Sequence, residues 1–143
     1  MNNETTITPP WLTVALRELG TKEYVGIADN PRVIEYHSAT TLHATDDEVP
    51  WCSSFVNWVM KQVGIKGTGS AAARSWLNWG VPIDKPIYGC VVILTRTGGG
   101  HVGFFIAEED GITKLLGGNQ GDAVNVRNYP TSRVIGYRMP KGV

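Results

Sequence analysis

Cys52, His101 and Asn119 are the residues of this chain whose types, order and surroundings could carry a reaction. Cys52 stands where the irregular segment Glu48-Val49-Pro50-Trp51 turns into an apolar-periodic run. In that run Phe55, Val56, Val59, Met60 and Val63 recur at three- and four-residue spacing. A thiol at such a boundary faces unpaired backbone N–H groups and the positive end of the helix dipole, and both favour thiolate. His101 opens another apolar run directly after Gly98-Gly99-Gly100, so its imidazole sits beside a flexible loop and can exchange protons. Asn119 lies within Gly117-Gly118-Asn119-Gln120-Gly121. Its amide oxygen can accept from one ring nitrogen and leave the other for the thiol. Each residue has a plain alternative: a buried structural cysteine, an ordinary loop histidine, a tight turn. In combination they supply a nucleophile, a base and an orienting group. Zinc is a poor fit, because the same Cys and His lack further ligands at zinc spacing. His37 and His43 lack comparable surroundings and read as ordinary loop residues.

The elements that must position these groups come in two blocks. Pro9-Pro10 opens a helix from Trp11, with Trp11, Ala15, Leu16 and Leu19 on one stripe and Gly20 ending it. Asn30-Pro31 starts a second, short helix that runs to His37, and Ser38 to Val49 has little periodicity and reads as a surface loop. The Cys52 helix runs about three turns and ends at Gly64, a natural C′ residue. Ser70 caps a further helix over Ala71 to Trp79, whose Ala-rich first half has high propensity, and Gly80 ends it. Thereafter apolar and β-branched residues predict strands at Tyr88–Thr95 (buried on both faces), His101–Ala107, Ile112–Leu116, Ala123–Arg127 and Val134–Arg138. The class is therefore α+β, with N-terminal helices packed on an antiparallel meander of about five strands. Alternation sets His101, Gly103 and Phe105 on one face of their strand and Val102 and Phe104 on the other. A meander also brings the start of the His101 strand near Asn119, just past the end of the next strand.

A length of 143 residues, 42% of them apolar and 18% charged, suits one compact domain over 1–143, with 1–8 a loose arm. The formal net charge is zero and the pI about 6.8, which argues against nucleic acid as a partner. Five Trp and five Tyr suit a groove that grips a sugar or peptide chain, and equally a ring-rich core. Cys52 and Cys90, one on a helix start and one on a buried strand, read as two free thiols. Asp46-Asp47-Glu48 has no EF-hand spacing and reads as solvated acids ahead of a helix rather than a calcium site. Neither a secretory leader nor an apolar run of membrane-spanning length is visible, so the expectation is synthesis in the cytoplasm without membrane insertion.

Three motifs carry a resemblance: Pro50-Trp51-Cys52-Ser53-Ser54-Phe55-Val56-Asn57-Trp58, Gly100-His101-Val102-Gly103-Phe104 and Leu116-Gly117-Gly118-Asn119-Gln120. They resemble the NlpC/P60 and CHAP superfamily of cysteine peptidases and amidases, in particular its small single-domain members from phages, prophages and bacteria. The similarity runs roughly from Trp11 to Pro140. It implies a papain-like core and cleavage of amide bonds in bacterial peptidoglycan, at a stem-peptide or N-acetylmuramoyl-L-alanine bond. By position Cys52 matches the nucleophile, His101 the general base and Asn119 the polar third member. Two departures stand out. Gly89-Cys90 replaces the family's usual Gly-Asp, which bears on local hydrogen bonding. Gly117 holds a place that is acidic in many CHAP domains, which leaves the orienting work to Asn119 alone.

The mechanism so implied is attack by Cys52, with His101 as base and then acid. The oxyanion is held by the backbone N–H of Cys52 or Ser53, plus one donor from the preceding loop. Trp51 and Gln120, which flank the centre, are the expected substrate contacts. No cofactor or metal is required, and a monomer is expected. A wall- or tail-binding module without turnover, or an acyltransferase on the same thiol, is the alternative. A holin-released phage endolysin and a bacterial effector exported by a non-Sec route, acting in the periplasm or cell wall, fit equally.

Overall fold

The computed structural model describes residues 7–22, 30–40, 51–96 and 99–142. His43, the run Asp46 to Glu48, Pro50 and most of the arm at 1–8 lie outside the described residues.

Pro10 stands in the first turn of α1 (Pro10–Arg17), where a missing N–H leaves no intrahelical bond unmade. Trp11, Leu12 and Ala15 are buried, and Trp11 Nε1 donates to the Gly89 carbonyl at 2.7 Å, which ties the helix to the approach of the sheet. The helix stops short of the expected stripe and leaves Leu19 exposed. In α2 (Pro31–His37) the Asn30 side chain caps the start by accepting from Arg32 N. His37, expected to be an ordinary loop residue, is instead fully buried, with Nδ1 2.7 Å from Ser54 Oγ.

The third helix, α3 (Cys52–Gln62), is buried without interruption from Cys52 to Met60. It is the central helix rather than a surface amphipathic one, as continuous burial requires. Its polar residues are therefore all engaged. Ser53 Oγ donates to the Ser70 carbonyl at 2.7 Å, and Asn57 Nδ2 donates to the same carbonyl at 3.1 Å. The Asn57 side-chain oxygen accepts from Gly69 N at 2.8 Å. These bonds also explain why the expected α-helix over 71–79 is a 3₁₀ helix, Ala73–Asn78, with Ala72 extended ahead of it. Trp76 is pulled wholly into the core, where its Nε1 donates to Ser53 Oγ at 2.9 Å. Burying that ring and satisfying the Ser70 carbonyl outweighs the fraction of a kcal/mol per residue by which alanine favours the α-helix.

Six strands form one antiparallel sheet: β1 (Val81–Ile83), β2 (Val91–Arg96), β3 (Gly99–Glu109), β4 (Ile112–Gly117), β5 (Asn125–Pro130) and β6 (Val134–Met139). Their order is β1-β6-β2-β3-β4-β5. The sixth strand is β1, expected to be a plain connection, which pairs with Tyr137–Met139 of β6. The simple meander is also corrected, since β6 does not extend it past β5. It returns to pair with β2, latched by Arg133, whose Nε and Nη2 donate to the Thr95 carbonyl at 3.0 and 2.9 Å. β5 begins later than expected because Ala123 bridges to Lys22 instead of joining β4.

With neighbours on both edges, β2 is buried on both faces. Val91 and Ile93 join the main core under the helices, whereas Cys90, Val92 and Leu94 form a second cluster with Phe105 and Leu115. Both thiols are free and belong to different clusters, Cys52 to the first and Cys90 to the second. No described helix is long and apolar enough to cross a membrane.

Gly118 is where the chain leaving β4 crosses over the start of α3. A Cβ there would lie 2.8 Å from Phe55 Cβ and from two ring carbons of Trp51. Gly118→Ala should therefore destabilise the protein by ~1–3 kcal/mol through overpacking, measured by urea unfolding. Gly99→Ala, which meets nothing within 4 Å, should unfold close to the wild-type midpoint.

Candidate active site

Cys52 is the first residue of α3, and the Trp51 carbonyl just ahead of it accepts from Phe55 N at 2.9 Å. β3 outruns β4 at this end. Their pairing reaches only Phe104↔Leu116, so Val102 has no β4 partner, and its backbone amide is given to the Cys52 sulfur. The amides of Ser53 and Cys52 also face the sulfur, as expected of a helix start. The expected thiolate does not follow. Cys52 is only 6% exposed, and burial pushes its thiol up against the opposing pull of those amides and of Arg96. Cys90, which has no comparable charge beside it, is pushed up by burial to about 11.

His101 is 2% exposed, and its Nε2 lies 2.9 Å from Gln120 Oε1. The orientation of that amide is set by its other end. Gln120 Nε2 faces only acceptors: the Leu115 carbonyl at 3.2 Å, the Asn125 carbonyl at 2.9 Å and Asn125 Oδ1 at 3.0 Å. The oxygen must therefore be the atom turned to the imidazole. A neutral His101 then carries its proton on Nε2 and keeps its lone pair on Nδ1. Burial lowers His101 to about 4, with Arg96 and Arg133 acting in the same direction and Gln120 opposing them. At neutral pH the resting pair is thus a neutral thiol and a neutral imidazole.

Gln120, expected to touch substrate, is thus the partner of His101, in the place expected for Asn119. The reason is local. Asn119 adopts a left-handed backbone, φ 58°, which Asn tolerates better than most residues. The turn it makes carries the next side chain inward, while Asn119 itself is half-buried at the rim of the site. Gly117 completes the swap. A Cβ on it would stand 2.6 Å from Gln120 Oε1 and 3.5 Å from His101 Nε2. The space that a side chain at 117 would enter is filled by the Gln120 amide. Trp51, the other expected substrate contact, is a core residue, fully buried and stacked on Tyr36 with ring centroids 5.7 Å apart. The Cys52 sulfur lies beside the start of β3, where it faces the backbone amide of Val102, the neighbour of His101.

A cleft of about 250 Å³ opens beside His101, lined by His101, Asn119, Gln120, Gly121 and Tyr129 together with Arg96, Arg127 and Arg133. Tyr129 Oη is 3.4 Å from His101 Nε2, and Arg133 lies over the tyrosine ring. Burial raises the Tyr129 pKa. Neither Tyr129 nor the arginines were marked by the sequence reading, because their positions depend on strand pairing. Larger clefts elsewhere hold none of these groups.

A helix-borne cysteine, a strand-borne histidine and an amide that orients it, on an α+β core, are groups that could serve as nucleophile, base and orienting residue. The CHAP domain family profile matches residues 44–119, just over half of the 143-residue chain, and the chain belongs to that family. Among solved structures it is similar to the peptidoglycan hydrolase RipB from Mycobacterium tuberculosis. The TM-score is 0.57 and the identity 14%, over 90% of this chain and 61% of that one. It is also similar to an NlpC/P60 family protein from Bacillus cereus, with TM-score 0.56 and 17% identity, over 94% of this chain and 41% of that one. The chain thus spans about 61% and 41% of these two chains. No curated protein sequence matches it significantly.

Two measurements test the role of Gln120. By NMR titration His101 should titrate near 4 in the wild type, and Gln120→Glu should move it upward, because a carboxylate favours imidazolium. An unmoved value would remove Gln120 from contact with the ring. Since burial favours the neutral ring, its contribution to stability is present above the ordinary value of 6.5 and is lost as pH falls through about 4. Acid unfolding of the wild type should follow that course.

Proposed function

We propose that this chain is a peptidoglycan hydrolase, cleaving a stem-peptide or N-acetylmuramoyl-L-alanine amide bond by a cysteine peptidase mechanism. Cys52 is the nucleophile, His101 the general base and acid, and Gln120 the positioning residue. The carrying observation is the His101–Gln120 bond, with the Gln120 nitrogen anchored on Leu115 and Asn125. It fixes the imidazole proton on Nε2, which donates to Gln120 Oε1, and leaves Nδ1 as the acceptor for the thiol proton. Membership of the CHAP family and the fold shared with RipB, itself a peptidoglycan hydrolase, support the substrate.

Because both groups rest neutral, the proton passes from Cys52 to His101 as the sulfur attacks the carbonyl, instead of being transferred beforehand. The developing oxyanion meets the backbone N–H groups at the start of α3. An imidazolium with its pKa lowered to about 4 is a strong acid, well suited to protonate the leaving amine. Water, deprotonated by His101, then attacks the thioester, releases the new carboxylate and restores the thiol. The site of action is the periplasm or cell wall, where peptidoglycan lies.

Purified protein should release muropeptides from isolated sacculi, and mass spectrometry of the products identifies the bond from the new amine terminus. Cys52→Ala should abolish release without lowering thermal stability. Undiminished release by that variant would sink the mechanism. The acid limb of kcat/KM should lie near pH 4, because His101 is neutral and able to accept a proton above that value. Gln120→Ala should cost on the order of a hundredfold through misorientation of the ring. Asn119→Gly, which keeps the left-handed turn, should cost less, and the reverse order would return the orienting role to Asn119.

A further inference from the structure

The described cleft lining holds three arginines and no acidic side chain. Arg96 and Arg127 make no hydrogen bond or ion pair with a described residue. Ion pairs among the described residues involve only Arg32, with Glu18 and Glu35. Arg133 is held in place by its two bonds to the Thr95 carbonyl and by the Tyr129 ring beneath it. This local excess is not a property of the whole chain, whose formal net charge is zero. Glu108, Glu109 and Asp110 line a separate cleft at the far end of β3. Glu109 lies eight positions along the strand from His101, roughly 25 Å. Three like charges converging on one small cleft repel one another unless an anion joins them.

We propose that Arg96, Arg127 and Arg133 form a carboxylate site beside His101, which receives a free carboxylate on the leaving side of the scissile amide. The side follows from the role proposed for His101. His101 lines the cleft and Cys52 does not, and His101 is the group that hands a proton to the departing nitrogen. A residue that supplies the leaving amine and carries a free carboxylate places that carboxylate among the guanidiniums, whose planar forks suit bidentate recognition. The same carboxylate offsets the arginine charges that disfavour imidazolium, so the correct substrate also eases proton transfer to His101. The naming of the substrate rests on the hydrolase reading, whereas the site itself does not.

Two arms separate them. In the first, N-acetyl-D-alanine and its carboxamide are titrated into the full chain, and the arginine side-chain N–H resonances are followed. The acid should bind saturably and the amide should not, and Arg96→Gln/Arg127→Gln should weaken the acid on the order of tenfold or more. Equal binding of acid and amide, or an unaffected variant, overturns the site. In the second arm, two muropeptides are compared that differ only by carboxylate or carboxamide on the residue supplying the leaving amine. The wild-type ratio of kcat/KM should favour the acid by on the order of tenfold and fall toward unity in the double variant. A wild-type ratio near unity, or a ratio unchanged in the variant, overturns the substrate preference. If neither muropeptide is cut while the first arm succeeds, the hydrolase reading falls and the carboxylate site stands.

Discussion

The side-chain amide of Gln120 is held from both ends, and most of the site depends on that arrangement. A buried amide must satisfy an oxygen and a nitrogen together or bear the cost of desolvating them. Here the nitrogen is committed to Leu115 and Asn125, and Asn125 Nδ2 donates back to the Gln120 carbonyl at 2.8 Å. The oxygen is left with His101 as its donor. That single choice selects the imidazole tautomer, and with it the nitrogen that can accept a proton. The left-handed turn at Asn119 and the missing side chain at Gly117 are the backbone conditions that let the amide occupy its place.

The second constraint is the depth of α3. A helix buried from Cys52 to Met60 anchors Cys52 rigidly, with Ser53, Ser54 and Asn57 drawing the 3₁₀ segment, α2 and the Thr68–Ser70 turn around it. Rigidity comes with desolvation. The same packing that orients the thiol raises its pKa, and the helix-start amides and Arg96 do not reverse it. A neutral thiol and a neutral imidazole follow from this balance.

Charge is distributed along β3 in the same spirit. One end carries His101 amid arginines and the other ends at Glu108 and Glu109, so a chain of zero net charge presents a basic mouth over its chemistry. Such separation costs nothing in overall solubility and concentrates positive potential where a substrate must approach.

What the sequence by itself determined is the class of the fold, and it singled out two residues of the candidate site. Apolar spacing after Cys52 marks a helix and β-branched runs mark strands, because burial on one face or two leaves a periodic trace that needs no partner to be read. Cys52 stood out because it opens an apolar-periodic run after Pro50, and His101 because it follows three glycines, although β3 itself already begins at Gly99. Tertiary structure decided the rest. Whether residue 119 or 120 meets the imidazole turns on one backbone angle, which exchanges an inward side chain for an outward one. The return of β6 to β2, the 3₁₀ form of 73–78 and the convergence of Arg96, Arg127 and Arg133 depend on contacts between residues dozens of positions apart. Local propensity carries no record of such pairings, since their free energy exists only once the sheet has closed.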